Sequence, residues 1–154
     1  MAIKPIDRIH GACLADMLLA LSVKHADIRI SVVEGLDRSS YILIAHHTKT
    51  NLEIRIGLYI KYSRSRRTPW DFSYDLKHQK EVQRLADECG EVFSIFVNGE
   101  DGYACVNFSE LRVLLDEQFD QVEWVRVTRL LNQSYRISGK NGAHDRPLPR
   151  NSFP

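Results

Sequence analysis

Between Asp27 and Ser63 the chain alternates apolar and polar side chains in three successive runs, separated only by the turn segments GLDRSS and TKTN. In DIRISVVEG, Ile28, Ile30 and Val32 alternate with Arg29 and Ser31, which is the period of a strand. YILIAHH is a compact β-branched and aromatic run. In LEIRIGLYIKYS, Leu52, Ile54, Ile56, Leu58 and Ile60 share one face, and Glu53, Arg55, Gly57, Tyr59 and Lys61 the other. Three strands joined by short turns predict an antiparallel meander.

The flanking segments supply helices. In RIHGACLADMLLALSV, Ile9, Cys13, Leu14, Met17, Leu18 and Leu21 fall on one helical stripe. Pro69 breaks the pattern after the third strand, and Ser73 or Asp75 is suited to cap the next helix. Leu76, Val82, Leu85 and Cys89 mark its expected buried side, and Gly90 closes it. EVFSIFVNG and GYACVNF read as strands around the turn NGEDG. SELRVLLDEQF reads as a helix with a Ser cap, and EWVRVTRLL and SYRISG as further strands. The predicted order is α-β-β-β-α-β-β-α-β-β: an α/β (α+β) fold with a central mixed sheet and helices packed on it. A helical crossover from the third strand to EVFSIFV makes those two strands parallel. Residues 1–138 are expected to form a single domain. The Gly-, Pro- and Asn-rich segment 139–154 is expected to be an extended tail.

Several function classes recede on simple grounds. No apolar run is long enough to span a membrane, so no membrane partner is expected. Cys13, Cys89 and Cys105 are odd in number and widely spaced, unlike a disulfide framework. The start MAIKPIDRIHG lacks the apolar stretch of a secretion signal. A reducing, cytoplasmic setting is therefore the expectation. His46 and His47 point to opposite faces of a strand, and His78, His144 and Asp145 have no partner at metal-ligand spacing. Cys105 sits in an apolar strand, and Glu100 and Asp101 read as a hairpin tip. No phosphate-binding glycine loop, GxSxG or CxxC is present, so no cofactor and no metal site is expected.

Charge is unevenly placed. The formal net charge is +1, yet residues 54–74 carry five basic and one acidic side chain, and residues 75–123 four basic and twelve acidic. Residues 124–154 carry six basic and one acidic. Blocks of one sign can build a local field. The segment KYSRSRRTPWDFSY, residues 61–74, places Lys61, Arg64, Arg66 and Arg67 just before Trp70, Phe72 and Tyr74. Arginines beside aromatics can neutralise phosphates and stack bases; equally, the aromatics can plug the sheet edge while the arginines pair with an acidic helix. Trp124, Arg126 and Arg129, with Tyr135, Arg136 and Lys140, form a second basic and aromatic cluster.

Helix, three-strand meander, helix, strand over roughly residues 9–98 resembles the core of the PD-(D/E)XK nuclease superfamily. In that family the second strand carries an Asp and the third ends in Glu/Asp-x-Lys, grouped around a divalent metal that activates water. Lys61 in LYIKYS matches the Lys. Tyr59 stands where the acid belongs, and SSYILIAHH contains none. The resemblance therefore implies a nucleic-acid-facing surface without the cutting chemistry. The expectation is a DNA- or RNA-binding accessory module using Lys61, Arg64, Arg66 and Arg67 on phosphate and Trp70 for stacking. An alternative is an interaction module of the immunity, antitoxin or inhibitor type. It would offer Glu81, Asp87, Glu88, Asp116, Glu117 and Asp120 to a basic protein partner. A third reading, a Mg²⁺-dependent nuclease, requires relocated carboxylates from Asp37, Glu34 or Glu53 to converge on Lys61.

Overall fold

The computed structural model describes residues 4–24, 27–115 and 121–153. Its first elements are α1 (Pro5–Lys24), β1 (Ile28–Glu34), β2 (Ser40–His47), β3 (Glu53–Ser63), β4 (Trp70–Tyr74) and α2 (Leu76–Glu88). They are followed by β5 (Glu91–Asn98), β6 (Gly102–Asn107), α3 (Phe108–Leu114), β7 (Glu123–Thr128), β8 (Arg136–Gly139) and β9 (Gly142–Ala143). Three helices and seven of the strands follow the expected order; β4 and β9 are additional. No helix among the described residues is long and apolar enough to cross a membrane.

The meander forms as its alternation requires, and the helical crossover makes β3 and β5 parallel, giving a mixed five-stranded sheet ordered β1-β2-β3-β5-β6. A second, antiparallel sheet runs β4-β7-β8-β9. Two apolar layers result. Ile56, Leu58 and Ile60 of β3 and Phe93, Ile95 and Val97 of β5 pack with Cys13 and Met17 of α1. The opposite face, with Tyr59, Val92 and Phe96, meets Val82 and Leu85 of α2 and the inner face of the second sheet. Central strands covered on both faces lose their polar side, which is why Tyr59 is fully buried opposite Leu58 and Ile60. Leu52 and Ile54 lie beyond the cover of α1 and stay exposed, as does Leu76 at the start of α2.

Asp75 caps α2: its Oδ1 accepts the His78 backbone N–H at 2.9 Å, and His78 Nδ1 returns toward the Asp75 N–H at 3.4 Å. This capping box fixes the His78 ring at the helix start.

Beyond Gly139 the chain turns back as β9 on β8 and then packs along the domain. Tyr135 and Leu148 exchange two backbone hydrogen bonds of 2.9 Å, and Leu148 is fully buried. Asn151 continues this along β6: its N–H donates to Tyr103 O at 3.0 Å, and its Oδ1 accepts the Tyr103 N–H at 2.9 Å. Phe153 then stacks edge-on against Phe93 at 5.1 Å. Ending the chain after Pro149 should cost about 2 kcal/mol through loss of the buried Phe153, and should uncover the polar edge of β6. The checks are a lower urea midpoint and concentration-dependent light scattering.

Candidate functional site

The position of the nuclease-like lysine is a compact polar cluster. Lys61 Nζ donates to Ser73 O at 2.6 Å and meets His78 Nδ1 at 2.9 Å. It also lies over the rings of Tyr74 and Tyr59, at 4.8 and 5.6 Å from their centroids. Lysine nitrogen only donates while it is an ammonium, so His78 Nδ1 accepts there and the imidazole is neutral with its proton on Nε2. Burial pulls the Lys61 pKa down to about 8, against the opposing attraction of Asp75 and Asp37. The His78 pKa is lowered by burial and by Lys61.

Of the three carboxylates that a relocated metal site would need, the fold brings one to this cluster. Asp37 turns inward from the β1–β2 connection and accepts the Tyr59 hydroxyl at 2.9 Å, with Ser39 N–H on its other oxygen at 2.7 Å. Glu53 is at the far end of β3, eight residues and about 26 Å from Lys61 along the strand, where it pairs with Arg55 at 3.3 Å. Glu34 is exposed at the end of β1, opposite Tyr41 on β2. Among the described residues, no three His, Cys, Asp or Glu side chains could hold a metal ion.

Beside the cluster is an open cavity of about 550 Å³ between α1, β3 and the start of α2, lined by His10, Ser39, Lys61, Tyr62, Arg64 and His78. His10 is 4 % exposed; its Nδ1 bonds the Tyr41 hydroxyl at 2.9 Å, and its Nε2 has no partner among the described residues. His10 escaped sequence reasoning because it falls next to the apolar stripe of α1. The pairing of Lys61 with His78 escaped it because no periodicity links residues seventeen apart on different elements.

The second group of expected residues lies on the β3–β4 connection. Arg64, Arg66 and Arg67 are exposed and make no ion pair among the described residues. Their loop is pinned from within: Ser65 O accepts the Trp70 indole N–H at 2.8 Å, and Ser65 Oγ donates to Arg67 O at 2.8 Å. Gly99, at φ 55°, lets the β5–β6 turn close against the same carbonyl, where a Cβ would stand 2.3 Å from Ser65 O. Trp70 corrects the expectation of a stacking residue. It is 2 % exposed, and its ring meets Tyr135 edge-on at 6.1 Å. With Phe72 and Tyr74 it faces the core from β4, because strand alternation sends all three aromatics inward and Asp71 and Ser73 outward.

The aromatic on the open side is Trp124, 46 % exposed. On β7, Trp124 and Arg126 face outward, while Val125 and Val127 are fully buried. Register sets Trp124 opposite Ser73, Arg126 opposite Asp71 and Ser138, and Thr128 opposite Arg136, all on one outer face. Arg126 is bonded by Asp71 at 2.7 and 3.1 Å. The Arg129 N–H donates to Thr68 Oγ1 at 3.2 Å, so the arginine loop adjoins the end of this sheet. Leu130 and Leu131 are exposed on the next turn.

The turn acid Asp101 anchors that junction. It accepts Arg129 Nε at 2.8 Å and the buried Tyr135 hydroxyl at 2.6 Å, and Arg129 Nη2 lies against its other oxygen. Arg129 holds the Asp101 carboxyl below the ordinary aspartate range. A lowered folded-state pKa means that the ionised form favours folding. Its contribution is present above about pH 4 and is lost as pH falls through the folded value. Asp101→Asn should therefore lower the urea midpoint at pH 7 and flatten its decline below about pH 4. The check is a pair of denaturation series against pH.

The acidic helix is less open than its composition suggests. Glu81 is buried, bonded by Arg84 and by the Leu36 N–H, and Glu88 shares the same Arg84 at 2.9 Å. Asp87 accepts from Gln83 at 3.0 Å. Asp116, Glu117 and Asp120 lie outside the described residues. Cys105 is buried, and burial pushes its thiol well above the usual range. Comparison of the chain with protein families, with curated proteins and with solved structures finds no match.

Proposed function

We propose that the protein is a nucleic-acid-binding accessory module that holds its ligand without cutting it. The observation that carries this reading is the junction at Thr68 and Arg129. It joins Arg64, Arg66 and Arg67 to an outer sheet face bearing Trp124, Arg126 and Arg136. Unpaired guanidinium groups supply phosphate contacts, and a half-exposed indole supplies a stacking surface. Asp71 offsets Arg126, so the loop arginines and Arg136 are the effective cations. Lys61 has no part in this surface, since its Nζ is turned to Ser73 and His78. The absence of cutting follows in this reading from Tyr59 in place of a metal-binding acid, with Asp37 bound to its hydroxyl.

The test is a titration with single- and double-stranded DNA and RNA at several salt concentrations, with and without Mg²⁺, and inspection of the products. Salt-dependent binding with intact products is expected. Failure to bind at low salt overturns the binding reading, and Mg²⁺-dependent cleavage overturns its accessory character. Capture of a basic protein in place of nucleic acid would return the interaction to the acidic side of the molecule.

A further inference from the structure

We propose that Lys61 is a carbonyl-capturing amine: the cavity between α1, β3 and the start of α2 takes an aldehyde bearing an anionic group and holds it as an imine on Nζ. It shares Arg64 with the nucleic-acid reading but rests on Lys61 and His78, which that reading does not use. Three features of the geometry carry it. The Lys61 side chain lines an open cavity of about 550 Å³. The nitrogen touches the Nδ1 lone pair of a neutral imidazole at 2.9 Å, so a base is already in contact with the proton that must leave. Arg64 lines the same cavity, forms no ion pair among the described residues, and supplies a counter-charge for a phosphate or carboxylate. His10 adds a buried ring nitrogen without a partner at the cavity wall.

The chemistry balances without a further reactant. The lone pair of the neutral amine forms a bond to the carbonyl carbon, and the C=O π pair moves to oxygen. His78 Nδ1 accepts one proton from the nitrogen and passes it to that oxygen, giving a carbinolamine. The second N–H proton follows the same route to the hydroxyl, water leaves with the C–O pair, and the nitrogen lone pair closes C=N. Amine and aldehyde thus become imine and water.

The charge environment suits this step. His78 and Asp75 face Lys61 from α2, Asp37 from the β1–β2 turn, Tyr59 from β3 and Tyr74 from β4, with Arg64 and His10 around the cavity. Burial outweighs the two carboxylates and brings Lys61 to about 8. A large share of the amine is then neutral near pH 8, against less than about one part in a hundred for an ordinary lysine.

The experiment uses the unaltered protein with pyridoxal 5′-phosphate as the aldehyde, trapped by cyanoborohydride and located by peptide mass spectrometry. Lys4, Lys49, Lys77, Lys80 and Lys140 serve as internal references, so no variant need fold. Lys61 should be labelled at least about tenfold faster than these at pH 7.5, with a rate that levels off above about pH 8 while the others keep rising. Labelling of Lys61 no faster than the reference lysines, or rising only near pH 10, overturns the proposal. Arg64→Ala should raise the concentration of probe needed for half-maximal labelling, and His78→Gln should slow labelling at saturating probe. An Arg64→Ala protein labelled as readily as the parent overturns the anion part of the assignment.

Discussion

Arg64→Ala/Arg66→Ala/Arg67→Ala should bind duplex DNA roughly a hundredfold more weakly than the parent near 0.15 M salt. Each phosphate contact on a duplex contributes about 0.9 to the slope of log affinity against log salt, so three lost contacts should flatten that slope by about 2.7. The fold should survive, because all three side chains are exposed and the loop is held by Ser65, Trp70 and Gly99. A fluorescence titration across salt reads both quantities, with circular dichroism as the control for folding. Unchanged affinity and slope would place the contact surface elsewhere. Trp124→Ala should act differently, weakening single-strand binding more than duplex binding and leaving the slope intact.

Phe96→Ala should destabilise the protein by about 4 kcal/mol. Phe96 is fully buried on β5 of the first sheet, and its ring meets Phe72 of the second sheet edge-on at 4.9 Å and Tyr74 at 6.2 Å. It is the main aromatic bridge between the sheets. Its removal leaves a cavity that two backbones, each fixed by its own ladder, cannot close. Urea unfolding should show a midpoint shift at nearly constant slope. A loss below about 1 kcal/mol would mean that the two sheets close around the missing ring. Because β4 carries both Phe72 and Ser73, the same substitution should also loosen the Lys61 cluster.

The first sheet was legible in the sequence because β1 and β3 alternate, its other strands are compact apolar runs, and short turns join the meander. The alternation of β3 placed Ile56, Leu58 and Ile60 together correctly, and Asp75 was among the two caps foreseen. The face of α1 could be read from Cys13 and Met17 in the same way. What escaped was decided between elements. Trp-Asp-Phe-Ser-Tyr alternates like a strand, but five residues beside a run of arginines read equally well as a surface loop. The inward turn of Trp70, Phe72 and Tyr74 is imposed by pairing with β7, far along the chain. The site was legible only in part for the same reason. Lys61, Asp37 and the cluster of Trp124 and Arg126 could be singled out, whereas His78 and His10 take their roles from neighbours that the fold brings in. Glu53 failed as a candidate through strand rise alone, at about 26 Å from Lys61.

The five-stranded sheet treats its two borders differently. On β6 the returning chain occupies the border through Asn151, and Phe153 locks it down. On β1, seven residues of outer backbone have no strand beside them among the described residues, and Val32 and Val33 are exposed there. The contact on β6 is made at Tyr103 alone, whereas β1 offers its whole outer edge, so the two borders differ in degree. Growth into a fibre requires two open borders on every molecule. Residues 151–153 hinder such growth at the Tyr103 end of β6, which leaves β1 as the more open border of this sheet.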